Sequence, residues 1–202
     1  MMIAHASSGS LLSHSISRAD AGAPARAAAV MLAVAVTAAS AQFTTPLPFT
    51  QVPFVLTPFA VMLTGAALGS RLGFLAQAIY LAIGAIGLPV FAPSLQLLPG
   101  AARLIGPTGG YLLAYPVAAF VTGWCAERGW DRRYLSSFAS MLAGLAVIYA
   151  GGVSWLALLP GQSLTSAIIG GFLPYIALDL LKAAAAAKIL PSVWSVLGRR
   201  RN

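Results

Sequence analysis

The chain has 202 residues, of which 59% are hydrophobic and only 8% are charged. A soluble domain normally carries about 25% charged residues, so the composition excludes an ordinary water-soluble protein and predicts a polytopic membrane protein. The formal net charge of +8 comes from basic residues scattered between apolar runs, without an aromatic-interleaved basic face, so we predict no nucleic-acid partner. At about 20 residues for each spanning helix, the length predicts an all-α fold with six transmembrane helices.

The amino-terminal region combines a polar stretch with a first apolar run. Residues 1–20 are rich in serine and lack hydrophobic periodicity, which predicts a disordered cytoplasmic tail before a membrane domain over residues 21–202. The apolar run at residues 27–43 follows two arginines and contains Ala39-Ser40-Ala41 near its end, as does a secretory signal with an A-x-A cleavage site. Because five more apolar runs follow, we favour a retained first helix.

Small residues recur every four positions along this first helix. They are Ala21, Ala25, Ala29, Ala33, Thr37 and Ala41. Such a stripe allows another helix to approach closely within lipid, although the abundance of alanine in this segment would also produce one. Both interpretations stay open, and Ala25, Ala29 and Ala33 are candidate contacts with a partner helix.

A charge-free segment with three prolines, residues 44–54, separates the first apolar run from the second. Proline opposes regular helix, and irregular backbone at membrane depth is tolerated only when it is buried or lines a cavity. We therefore predict a stiff apolar loop that acts as a lid.

Further spans are predicted at residues 55–68, 74–90, 106–126, 134–159 and 168–197. A short basic turn at residues 69–73 separates the second span from the third.

Basic residues lie mainly on one side of this predicted topology. If the amino terminus is cytoplasmic, ten arginines and lysines fall in cytoplasmic segments and only Arg103 falls outside, with Lys182 inside the membrane. By the positive-inside rule, both termini are predicted to be cytoplasmic, in a multi-pass protein of the inner (cytoplasmic) membrane. The same distribution explains the positive net charge.

One acid and one base interrupt the sixth apolar run. Asp179 and Lys182 are three residues apart and therefore share a helix face. A charge at mid-bilayer costs about 2.5–3.5 kcal/mol on insertion scales and usually marks a ligand or ion pathway. A self-neutralising structural pair or a snorkelling lysine would give the same pattern. We favour a functional site in the outer half of the sixth helix.

Four segments in this order resemble the BioY family, the biotin-specific substrate-binding subunits of energy-coupling-factor (ECF) vitamin transporters. They are residues 46–54 (PLPFTQVPF), residues 84–91 (GAIGLPVF), residues 106–111 (GPTGGY) and Asp179-x-x-Lys182. The resemblance implies a six-helix protein that binds biotin near its outer face and works with a transmembrane coupling protein and two ATPase subunits. It also implies that the small residues of the first helix contact the coupling protein.

The resemblance carries a set of binding residues onto this chain. Together with aromatic residues that could form pocket walls, the candidate ligand-binding residues are Asp179, Lys182, Tyr111, Gly110, Phe91, Thr57 and Tyr175, where Thr57 stands at a position that is commonly glutamine in the family. Trp155 is a further candidate for an aromatic wall. A carboxylate at position 179 can accept hydrogen bonds from the ureido N–H groups of biotin. Lys182 could donate to the ureido oxygen or neutralise the carboxylate of biotin, and the sequence leaves both roles open.

Several activities lack the residues that they require. No segment matches G-x-x-x-x-G-K-[ST], so ATP hydrolysis would come from partner chains and the chain is predicted to be a transporter subunit rather than an enzyme. No span contains histidine, and the Cys and His residues have no zinc-binding spacing, so no metal or other cofactor is predicted. The alternatives are a binding subunit for thiamine or riboflavin, and a solitary biotin transporter without an ATPase. A channel is disfavoured because the helices lack a polar lining.

Overall fold

The computed structural model describes residues 22–94 and 98–199, which are mainly helical. Within these ranges the α-helices are α1 (Ala23–Gln42), α2 (Thr57–Leu68), α3 (Ser70–Ala85), α4 (Ala102–Ile105), α5 (Gly109–Glu127), α6 (Tyr134–Ala157), α7 (Leu164–Gly171) and α8 (Leu173–Arg199). Two short strands, β1 (Thr44–Thr45) and β2 (Phe54–Val55), precede α2, and a 3₁₀ turn (Trp130–Arg132) precedes α6. The predicted tail at residues 1–20 lies outside the described residues.

Helix α5 lies at the centre of the bundle and packs against α2, α3 and α6. Small residues allow these helices to approach closely. A Cβ added at Gly65 would lie 2.5 Å from the backbone oxygen of Ala119, and one added at Gly73 would lie 2.9 Å from the Cα of Gly65. Helix α6 also packs against α8, and α1 packs against α2 and α3. The α6–α8 contact matters for function because it brings Asp179 to α6.

Helices α1 and α6 are long and apolar enough to cross a membrane, and α7 with α8 forms a third candidate span that bends by 47°. Helices α2 and α3 are apolar but have only 12 and 16 residues. This mostly helical, apolar architecture agrees with the predicted class of an all-α membrane protein.

Two predicted boundaries on α3 are wrong. The chain reverses at Gly69 alone, where φ is +86°, and α3 begins at the next residue, so residues 70–73 are helix rather than a turn. At its other end α3 stops at Ala85 rather than at residue 90. Gly87 has a φ of +103°, a conformation that ends a helix, and Pro89 lacks the N–H that a helix requires.

The last predicted span is broken, not continuous. Helix α7 ends at Gly171 and α8 begins at Leu173, with Phe172 in a non-helical conformation between them. Pro174 has no N–H to donate to the carbonyl of Gly170, and proline is tolerated in the first turn of a helix, which places the start of α8 here. The Thr50 hydroxyl donates to the carbonyl oxygen of Gly170 instead, at 2.7 Å.

The proline-rich segment is a small hairpin, which the all-α prediction did not include. Strand β1 pairs with β2 in an antiparallel register that places Thr44 opposite Val55. Between the strands, Val52 accepts a hydrogen bond at its backbone oxygen from the hydroxyl of Tyr175 on α8. The hairpin is therefore fastened to the helix that carries the Asp179–Lys182 pair.

Candidate functional site

A largely apolar cavity lies beneath this hairpin, between α2, α3, α5, α6 and α8. It contains about 690 Å³ of space free of protein atoms, part of it open to solvent. Its aromatic walls are Phe54, Tyr80, Phe91, Tyr111, Tyr115, Tyr149 and Tyr175. The polar side chains on its lining include Thr57, Arg103, Thr108 and Asp179. An apolar enclosure with a few placed polar groups is typical of a small-molecule site.

Asp179 is the acidic group of this cavity and is only 6% exposed. Its Oδ1 lies 2.6 Å from Nζ of Lys182, one helical turn further along α8, as the i, i+3 spacing predicts. Its Oδ2 accepts a hydrogen bond of 2.6 Å from the hydroxyl of Tyr149 on α6. An ionised carboxylate offers about four lone-pair sites, so each oxygen keeps acceptor capacity for a ligand donor.

Lys182 lies behind Asp179 and is not part of the cavity lining. Its Nζ donates to the backbone oxygen of Val55 at 2.7 Å and lies 3.8 Å from the ring centroid of Phe54. Both residues belong to β2. Lys182 therefore neutralises the buried carboxylate and joins the hairpin to α8.

Tyr149 is a site residue that the sequence analysis missed. Its hydroxyl bonds Asp179, and its ring packs edge-on against Phe172 at the helix break, with centroids 4.8 Å apart. The available signal was a tyrosine in the middle of an otherwise apolar span, followed by Gly151 and Gly152. That signal does not identify its partner, because the partner depends on how α6 packs against α8.

Replacing Tyr149 by phenylalanine is expected to weaken ligand binding about ten-fold, because the carboxylate of Asp179 loses the donor that fixes its orientation toward the ligand. The ring contacts stay, but the lost hydrogen bond to a buried carboxylate should also lower the free energy of unfolding by about 1–3 kcal/mol. Tyr134→Phe is the matched control, since Tyr134 is exposed and stacks on Phe138, away from the cavity lining. Equal affinity in both variants, measured by titration calorimetry, would contradict a positioning role for Tyr149.

Four other predicted residues also lie on the cavity lining: Thr57, Phe91, Tyr111 and Tyr175. Tyr111 donates a hydrogen bond of 2.8 Å to the carbonyl oxygen of Gly171, where the helix break leaves that oxygen without its usual partner. Phe91 packs edge-on against Tyr80 with centroids 5.5 Å apart. These contacts hold the walls in place.

Gly110 and Trp155, by contrast, do not line the cavity. Gly110 faces α6, where an added Cβ would overlap the backbone oxygen of Gly151 and the Cβ of Trp155. The Trp155 indole donates to the backbone oxygen of Gly106 at 3.0 Å. The glycine-rich motif thus sets the distance between α5 and α6 and fixes the start of α5.

The small stripe on α1 is only partly accessible. Ala33 is 4% exposed, and Thr37 and Ala41 are also buried in the bundle. The hydroxyl of Thr37 accepts a hydrogen bond of 3.0 Å from the amide of Gln77 on α3. Ala25 and Ala29 are half-buried. In its second half, the stripe therefore serves packing within the chain itself.

Arg103 is the second residue that the sequence analysis missed. It lies on α4, lines the cavity and is only 6% exposed, and this burial lowers the pKa of its guanidinium. Its Nη2 donates to the backbone oxygen of Ala92, whereas Nη1 has no partner among the described residues. The buried hydroxyl of Thr108, also on the lining, lacks a partner in the same described part of the chain. Both groups can donate hydrogen bonds to a bound anion.

Comparison with known proteins gives consistent matches. Residues 13–199 match the BioY family. A protein of Thermotoga maritima named biotin transporter BioY is 43% identical over 143 residues, which cover 71% of this chain and 81% of the relative. A protein of the same name from Rhizobium etli is 36% identical over 148 residues, covering 70% and 77%.

The fold is similar to a solved structure. The crystal structure of the S-component for biotin from an ECF-type ABC transporter superposes with a TM-score of 0.72 at 24% sequence identity. The match covers 85% of this chain and 89% of that one. The similarity therefore extends over nearly the whole helical bundle.

Proposed function

This chain belongs to the BioY family, and we propose that it binds biotin as the substrate-binding subunit of a biotin transporter. The observation that carries the proposal is the buried carboxylate of Asp179 on the wall of an apolar cavity, held by Lys182 and Tyr149. Biotin has the complementary chemistry: two ureido N–H donors, an apolar sulfur-containing ring and a carboxylate at the end of a valeryl chain.

Asp179 accepts hydrogen bonds from the ureido group, and the aromatic walls enclose the ring system. Because Tyr149 and Lys182 fix the orientation of the carboxylate before the ligand arrives, little ordering is required on binding. A ligand without matching donors would leave acceptor sites of the buried carboxylate without hydrogen bonds. Its binding free energy would be weaker by about 1–3 kcal/mol for each missing hydrogen bond. Lys182 lies outside the cavity lining and acts on the ligand through Asp179, whose charge it neutralises, and through the hairpin at Val55.

Arg103 and Thr108 receive the carboxylate of biotin. The Nη1 of Arg103 and the hydroxyl of Thr108 are buried and have no hydrogen-bond partner among the described residues, so both can donate to a ligand acceptor. Hydrogen bonds between a guanidinium and a carboxylate are among the stronger polar interactions in proteins. Arg103 also lines the wider opening between the hairpin and residues 87–94, so this end of the cavity leads toward solvent.

Arg103→Gln is expected to weaken biotin binding about 10- to 100-fold, because a charge-assisted hydrogen bond is lost. Its effect on biotin methyl ester should be much smaller, since the ester has no carboxylate charge. Competition binding with the two ligands measures both effects. A variant that loses affinity equally for acid and ester would contradict the assignment, because the loss would then come from the shape of the pocket.

The chain crosses the cytoplasmic membrane six times, through α1, α2, α3, α5, α6 and the bent pair α7–α8, with both termini in the cytoplasm. This arrangement is supported by the apolar character of the helices and by the distribution of basic residues.

The partners of the chain are a transmembrane coupling protein and two ATPases. On the α1 stripe, Ala25 and Ala29 are half-buried and remain accessible for contact with the coupling protein.

Uptake of labelled biotin tests this function in cells that neither import nor synthesise biotin. Cells that express the chain with a coupling protein and its ATPases should accumulate biotin, and Asp179→Asn should abolish accumulation. Accumulation without the coupling protein and ATPases would identify a solitary transporter. No accumulation under any condition, with tight binding of thiamine or riboflavin by the purified chain, would overturn the assignment to biotin.

A further inference from the structure

A second groove lies on the outer surface of the bundle, away from the biotin cavity. It is lined by Arg71 and Phe74 on α3 and by Val117 and Phe120 on α5, and it contains about 710 Å³ of space, much of it open. The two helices run antiparallel, because Ser70 at the start of α3 meets Glu127 at the end of α5. Close packing at Gly73 and Ala119 leaves the phenylalanine rings as the walls of the groove.

The groove combines one unpaired cation with an apolar channel. Arg71 is exposed, and no acidic group or carbonyl pairs with it within residues 22–94 and 98–199. The carboxylate of Glu127, at the same end, is already engaged by the backbone N–H of Ser70 at 2.7 Å and by its hydroxyl at 2.9 Å. Phe74, Val117 and Phe120 are each more than 40% exposed.

The flank of the groove has the residues of a membrane interface. Trp124 lies one turn beyond Phe120 on the same face of α5 and is 42% exposed. The guanidinium of Arg128 lies 3.4 Å from the Trp124 ring centroid. Tryptophan and arginine at the end of a spanning helix are typical of the headgroup level. The Arg71 end of the groove therefore lies at the depth of the phosphates, and the apolar part at the depth of the acyl chains.

We propose that this groove binds one anionic phospholipid, with the phosphate against Arg71 and an acyl chain between Phe74, Val117 and Phe120. Basic pockets between transmembrane helices bind anionic headgroups in this way. A partner helix is the less suitable occupant, because it would bury the guanidinium of Arg71 against an apolar surface. The inference rests on the membrane placement proposed above but does not depend on biotin as the ligand.

Native mass spectrometry of the detergent-solubilised chain tests the proposal with two lipids of identical acyl chains, phosphatidylglycerol and phosphatidylcholine. The wild-type chain should retain phosphatidylglycerol about five-fold better, the effect of one basic residue at a membrane surface. Arg71→Gln should remove that preference. Arg26→Gln, which changes another exposed arginine on α1, should keep it. Val117→Trp, which fills the groove, should lower retention of both lipids.

A preference for phosphatidylglycerol that persists in Arg71→Gln would overturn the proposal. So would unchanged lipid retention in both groove variants together with weaker assembly with the coupling protein, because the groove would then be a protein interface. Biotin binding is measured in parallel. None of the four groove residues lines the biotin cavity, so biotin affinity should be unchanged in every variant. If the chain does not bind biotin, the lipid result still stands.

Discussion

Replacing Asp179 by alanine is expected to weaken biotin binding about 100-fold or more. The substitution removes the acceptor for the ureido N–H groups and leaves the hydroxyl of Tyr149 and the ammonium of Lys182 without their partner in an apolar environment. Hydrogen bonds to a charged group contribute about 1.5–3 kcal/mol each, so the loss of the two bonds from the ureido N–H groups accounts for this drop in affinity. Titration calorimetry on the purified variant measures it.

Two further variants separate the roles within the pair. Asp179→Asn keeps the size of the side chain and one acceptor oxygen, so it should bind more weakly than wild type; its unfolding temperature should also fall, because the buried ammonium of Lys182 loses its counter-charge. Lys182→Ala should also weaken binding strongly, because it leaves the carboxylate unneutralised and frees the hairpin at Val55. Full affinity in both Asp179→Ala and Lys182→Ala would rule out this site.

Replacing Gly110 by alanine is expected to lower the free energy of unfolding by about 2 kcal/mol. In an ordinary helix this change would stabilise by up to about 1 kcal/mol, because alanine is the better helix former. Here the added Cβ would overlap the backbone oxygen of Gly151, which cannot move without separating α5 from α6. Overpacking of this kind costs about 1–3 kcal/mol, occasionally more, and exceeds the gain in propensity.

Gly106→Ala is the matched control. It is the same chemical change in the same motif, but its Cβ would lie 3.5 Å from the nearest atom, the backbone oxygen of Ala102, which is ordinary contact. Thermal unfolding in detergent should show a lower midpoint for Gly110→Ala alone. Equal midpoints for the two variants would mean that the α5–α6 contact is looser than the structure shows.

The sequence predicted the Asp179–Lys182 contact because it depends only on helical spacing. Tyr149 and Arg103 could not be predicted, since their partners are fixed by the packing of α6 on α8 and by the position of α4 beside residue 92. Gly110 was predicted to bind the ligand, because the sequence does not show that a Cβ at this position would point toward α6 rather than into the cavity.

The contacts of α1 and of the helix break likewise depend on tertiary packing that the sequence does not reveal. A stripe of small residues predicts close packing without identifying the neighbour, and for Ala33 that neighbour is the chain's own bundle. The last span was predicted to be continuous despite Pro174, and the break was missed because the hairpin supplies the hydrogen bond to Gly170. The helical class followed from local residues, whereas the hairpin, the helix break and the site depend on tertiary contacts.

Ligand titration of the purified wild-type chain shows whether the cavity beside Asp179 binds biotin. Biotin should bind with one-to-one stoichiometry, and thiamine and riboflavin should not bind measurably at the same concentrations. Asp179→Ala should remove the biotin signal. Absence of biotin binding by a folded wild-type chain, or binding that persists in Asp179→Ala, would show that this cavity is not a biotin site.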